Sequence, residues 1–168
     1  MKTARTRVLY LMVGFTLGLP LAAQSDCKVI LDASSKVLNT PAHMNITGTV
    51  GSLTTNAEMI YATGNIYMKI AGKWSIASTT KDEEQSREKN RQSGKVSTAT
   101  CRYVKDELVN GEMAALYSMS DEPNKVHSQI WISKVKGLPL RQEDDIGAGD
   151  SKTHNSTRYD YGNIKPPI

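Results

Sequence analysis

Phenylalanine, tryptophan and cysteine are scarce in this sequence: its 168 residues include one phenylalanine, two tryptophans and two cysteines. Two cysteines exclude a thiolate cluster of the zinc-ribbon kind. No Cys-x-x-Cys spacing or adjacent histidine suggests a metal or redox pair. There is no Gly-x-Ser-x-Gly elbow, and Ser-x-x-Lys occurs in no convincing strand-to-helix setting. The three histidines, His43, His127 and His154, fall on separate predicted strands, each on a polar parity, where exposure is the expectation. The paired carboxylates Glu83-Glu84 and Asp144-Asp145 lie in hydrophilic segments that would not sustain a raised pKa. The sequence thus leads to a chain that is not an enzyme and needs no metal and no cofactor.

The N-terminus carries an address. Lys2, Arg5 and Arg7 form a positive region, Val8 to Leu19 an apolar core, and Pro20 with Leu21-Ala22-Ala23 a break followed by small residues. This is the pattern of a secretory signal peptide, too short for a membrane anchor. Cleavage is expected after Ala23, leaving residues 24–168 as one domain in the periplasm or secreted. Losing Lys2, Arg5 and Arg7 lowers the formal charge from +4 to +1, so the basic footprint of a nucleic-acid-binding protein is missing. Gln24-Ser25-Asp26 does not fit the small residues that precede a lipidated cysteine. Cys27 and Cys101, exported as the only pair, are expected to form a disulfide.

The hydrophobic pattern changes period once. Asp26 reads as the cap of a helix to about Asn39, with Cys27, Ile30, Leu31, Ser34, Val37 and Leu38 on one stripe and Pro41 beyond its end. From His43 the period is two. Strands are expected over 43–50, 53–62, 66–70, 73–76, 96–109, 113–119, 126–132 and 138–141, with Asn110-Gly111 and Gly137 supplying turns. Gln142 to Asp150 reads as an acidic loop, and Lys152 to Tyr161 as a polar edge strand. Thr79 to Ser93 carries an unbroken polar run, Lys81 to Gln92. It is expected to be a solvated helix or loop, dispensable for the core.

Methionine is the unusual resource of the strands. Met44, Met59, Met68, Met113 and Met119 fall on apolar parities and are expected to share a face with Ile46, Ile66, Ile70, Trp74 and Ala115. Flexible thioethers fill irregular spaces and recur on surfaces that accept varied apolar ligands. One helix covers only part of so wide a sheet, so this face is a candidate ligand cavity as well as a core.

Two stretches carry a resemblance to a known superfamily. Gly64-Asn65-Ile66-Tyr67-Met68-Lys69 with Gly72-Lys73-Trp74, and Ile130-Trp131-Ile132 with Gly137-Leu138-Pro139-Leu140-Arg141, resemble the periplasmic lipoprotein carriers (LolA/LolB-like). The resemblance implies an α+β fold: a curved antiparallel sheet, or half-barrel, with an N-terminal helix packed on its concave face. It also implies a carrier whose partner is a hydrophobic small molecule or lipid acyl chain, with a membrane or protein delivery partner. Here the insertion that helps to close the carriers' cavity is the polar segment Thr79–Ser93. The alternative reading is therefore an exported adaptor or inhibitor that binds protein without a small-molecule ligand.

Overall fold

The computed structural model describes residues 21–77, 82–84, 86, 99–149 and 152–168. One helix, α1 (Leu21–Leu38), precedes nine strands. They are β1 (Ala42–Val50), β2 (Leu53–Ala62), β3 (Asn65–Ile70), β4 (Lys73–Ile76) and β5 (Thr100–Val109), followed by β6 (Glu112–Asp121), β7 (Val126–Ser133), β8 (Pro139–Ile146) and β9 (Thr153–Asp160). All pairings are antiparallel, in the order β4-β3-β2-β1-β9-β8-β7-β6-β5. The sheet is open, a curved half-barrel with α1 on its concave face, as the resemblance implies.

Local chemistry accounts for most elements. Ile30, Ala33 and Val37 recur at helical spacing and are buried, which contributes about 1.5–3 kcal/mol for each large aliphatic side chain. The helix ends where Asn39 and Thr40 turn back: Asn39 Nδ2 donates to the Ser35 carbonyl (3.2 Å) and Thr40 Oγ1 to that of Lys36 (2.8 Å). Pro41 then forbids continuation. Asn110 and Gly111, both at positive φ (51° and 83°), form the tight β5–β6 turn that the sequence predicts. The β7–β8 turn is held by Gly137 N donating to the Ser133 carbonyl (2.9 Å), with Gly137 at φ 63°.

The disulfide is formed. Cys27 of α1 and Cys101 of β5 are bonded, 74 residues apart, within a cluster of Ile30, Ala33, Ile130 and Ile132. Asp26 does not cap the helix, as expected from sequence, because α1 already begins at Leu21. Its carboxylate instead accepts a hydrogen bond from Tyr103 N (2.8 Å) on edge strand β5. An edge strand has unpaired N–H groups, and this one is met by the helix. Asp26→Ala is expected to cost about 1 kcal/mol, the usual net value of one hydrogen bond. A urea midpoint that does not fall would remove Asp26 from the account.

Two readings of the C-terminal third are corrected. Lys152–Tyr161 is not an edge: β9 lies between β1 and β8, bonded on both sides. Gln142 to Ile146 is not loop but the continuation of β8. The acidic residues there are accommodated because alternation divides them. Glu143 and Asp145 meet Arg141, Lys152, His154 and Ser156 on one face, while Asp144 takes Ser128 and Gln142 on the other. Most of Thr79–Ser93 lies outside the described residues. Asp82–Glu84 and Ser86 are helical, within the connection between the two sheet edges.

Candidate functional site

Cross-strand register fixes which side chains share a face, since directly opposed residues point the same way. On the helix side, Met68, Met59, Met44 and Tyr159 are successive opposed partners across β3, β2, β1 and β9. With strand spacings of about 4.8 Å, this row is roughly 14 Å long. Ile46 lies one position further along the same face, opposed to Ala57 and Thr157, and Ile66 and Ile70 flank Met68 on β3. Met44 and Ile66 are buried, Ile46, Met59 and Met68 half-buried, and Ile70 is 61% exposed.

The helix does not cover this patch. α1 packs chiefly on β5, with lesser contact to β6, β7 and β8. Where its C-terminal end approaches the methionine row, it leaves a recess of about 190 Å³. Val37, Leu38, Met44, Tyr61, Pro139 and Tyr159 line it, with Ser34 and Glu84 at its polar side. Burial, with the Asp144 charge adding to it, pushes the Tyr159 hydroxyl well above the usual tyrosine range; the hydroxyl donates to Gln142 Oε1 (3.3 Å). Tyr159 is therefore a neutral donor at the end of an apolar row.

The remaining candidates lie elsewhere. Met113, Ala115 and Met119 are on the helix side but in β6, where Met119 packs with the disulfide cluster and Met113 is 46% exposed near the β5–β6 turn. Polar residues separate Met119 from the methionine row, whereas Ile132 and Pro139 stand between Ala115 and the recess beside Tyr159. Thr157, Asn155, Gln142 and Asp144 occupy the helix side of β9 and β8, with Ser128 Oγ donating to Asp144 (2.6 Å) and Gln142 Nε2 to the same carboxylate (2.9 Å). The ten residues expected to form one apolar surface thus fall into two patches and an outlier. Trp74 is the outlier: it opposes Lys69, points away from the helix and packs with Ile60, Ala62, Tyr67 and Ile164. The reason is the tight Ala71-Gly72 turn, which sets Ile70 opposite Lys73 and so puts Trp74 on the reverse face.

Beside the apolar clusters around Trp74 and Trp131, the reverse face carries ion pairs. His43 contacts Glu58 (3.0 Å), His127 lies 3.9 Å from Glu122, and His154 sits between Glu143 (3.1 Å) and Asp145 (2.9 Å). Among the described residues no group of His, Cys, Asp and Glu is arranged to hold a metal. The Glu58 carboxyl is held below its usual pKa, first by a hydrogen bond from Lys69, with burial opposing and His43 assisting. A lowered folded-state pKa contributes stability that is present above about pH 4.5 and lost as pH falls through the folded value. Glu58→Gln is expected to flatten the acid limb of the stability curve below about pH 4.5. An unchanged limb in a pH series of urea melts would contradict this.

No family model matches this sequence, and no curated protein matches it in sequence. The fold does match solved structures. MucB in complex with MucA(peri) superposes with a TM-score of 0.53 at 9% identity, over 84% of this chain and 57% of MucB. The Pseudomonas aeruginosa MucA/MucB complex gives 0.52 at 8% identity, over 85% and 59%. LprF from Mycobacterium bovis gives 0.49 at 11% identity, over 88% and 98%. The chain spans less than two thirds of the MucB chains it resembles.

Proposed function

We propose that this chain is an exported, non-catalytic carrier or binding protein for a lipid-like or other hydrophobic ligand, taken up on the helix side of β1–β3. The observation that carries the reading is the in-register row Met68–Met59–Met44–Tyr159, which ends at a recess of mixed polarity and lies outside the main footprint of α1. Met44, Ile46, Met59, Ile66, Met68 and Ile70 are the residues assigned to it. Met113, Ala115 and Met119 are left out because three strands, β9, β8 and β7, stand between β6 and β1, with polar residues at the register of Met119. Each methylene buried on such a surface contributes about 0.8 kcal/mol. A chain of about eight carbons therefore offsets several kcal/mol of association cost. Export is supported by Lys2, Arg5, Arg7 and the apolar run that follows, together with a disulfide suited to an oxidising compartment.

A protein partner is the second reading. MucB, whose fold this chain shares, has been solved with MucA, and here Tyr103, Val104 and Leu108 stand exposed on edge strand β5. Native mass spectrometry before and after organic extraction separates the two. Extra mass that extraction removes supports the carrier; unliganded protein that also fails to take up added fatty acid supports the partner reading.

A further inference from the structure

The face turned away from the helix carries an opposed row of its own: Trp74, Lys69, Glu58, Asn45, Arg158, Arg141, Trp131, Leu116 and Lys105. Three of its four cations are matched. Lys69 bonds Glu58 (2.8 Å) and lies over Trp74; Arg141 bonds Glu143 (2.7 Å) and stacks on Trp131 at 4.6 Å; Lys105 bonds Glu107 (3.2 Å). Arg158 has no such partner among the described residues, although Arg141 is directly opposite it. Like charges directly opposed on neighbouring strands destabilise a sheet unless something neutral or anionic intervenes. On its other side Arg158 opposes Asn45, a further hydrogen-bond donor without a partner among the described residues.

Arg158 and Asn45 stand at the rim of an open cleft of about 760 Å³. Half-buried Val109 and Tyr161, with the edges of the buried Leu138 and Leu140, provide its apolar lining. The cleft's own carboxylates are engaged: Glu112 by Lys136 (2.8 Å) and by Ser133, Asp160 by the Gly162 amide (2.9 Å). A guanidinium offers several donors in a fixed plane, matched to carboxylate or phosphate oxygens. We propose that this cleft binds an anionic amphiphile, its carboxylate or phosphate head on Arg158 and Asn45 and its tail over Val109, Tyr161 and the edges of Leu138 and Leu140. This site shares Tyr159 with the end of the methionine row but uses none of the methionines, and stands without them.

Calorimetric titration with decanoate, decyl phosphate and uncharged 1-decanol tests the assignment, using a Met59→Asp background to remove uptake at the methionine row. Arg158→Ala is expected to weaken binding of both anions about tenfold, the effect of losing one charged hydrogen-bonding partner, and to leave 1-decanol unchanged. Asn45→Asp places a carboxylate between Arg158 and Glu58, one attractive and one repulsive neighbour; it should abolish anion binding with little net change in the thermal midpoint. Tighter decyl phosphate binding assigns a phospholipid-type head, and tighter decanoate a fatty-acid type; either supports the site. Anion affinity that survives both substitutions, or equals that for 1-decanol, or is absent from the Met59→Asp protein, overturns it.

Discussion

Replacing Cys27 and Cys101 together by alanine is expected to lower the thermal midpoint by roughly 10–15 °C. The bridge closes a loop 74 residues apart in sequence. On the chain-entropy account such a loop contributes about 4 kcal/mol by restricting the unfolded state, and a chain of this size shifts by about 2–4 °C for each kcal/mol. The effect is larger than for any single contact because α1 is anchored mainly at β5, where the disulfide, the Asp26–Tyr103 bond and the Ile30 cluster hold it. Removing the covalent tie also lets α1 lift from Ile130 and Ile132. Calorimetry on the oxidised protein and the double variant is the check. A midpoint unchanged within about 2 °C would show that helix docking does not depend on the bridge.

The second large effect concerns binding. Met59 sits mid-row, opposed to Met44 on one side and Met68 on the other. A carboxylate there would have to be desolvated by any apolar ligand lying across the row. Met59→Asp is therefore expected to weaken an apolar fluorescent probe, or the fatty acid that displaces it, by at least about tenfold, corresponding to 1.4 kcal/mol. Because Met59 is only half-buried, the cost to folding should be about 1 kcal/mol. Met113→Asp, on the same face but in β6, should leave probe binding unchanged. Equal losses from both substitutions would mean that the probe reports general exposure of apolar surface and not the row.

Much of this architecture is legible in the sequence, for identifiable reasons. The β1–β4 meander, the Asn110-Gly111 turn and the Cys27–Cys101 pair each follow from short-range pattern or from simple counting. What escaped is non-local. The polarity of Thr153–Asp160 suggests an edge, yet its side chains bond across to β8 and its backbone is paired on both sides. Central placement needs paired backbone, not apolar side chains, when one face is wet. Likewise Glu143, Asp144 and Asp145 look like a loop because three acids in a row hide the alternation that sends them to opposite faces. The expected ligand face divides for the same reason: parity within each strand places the methionines on the helix side, but the strand order that separates β1–β3 from β6 is not in the pattern. Trp74 is different. The tight Ala71-Gly72 turn already fixes Ile70 opposite Lys73, so its reversed face was available from the sequence.

A ligand held by the row on β1–β3 would touch its methionine methyl groups directly. Labelling the methionine methyl groups and adding decanoate or a longer acyl chain to the extracted, oxidised protein tests that contact residue by residue. The account predicts saturable shifts at Met44, Met59 and Met68, with Met113 and Met119 unmoved. Shifts confined to Met113 and Met119, or changes that appear only as the protein unfolds, would contradict it.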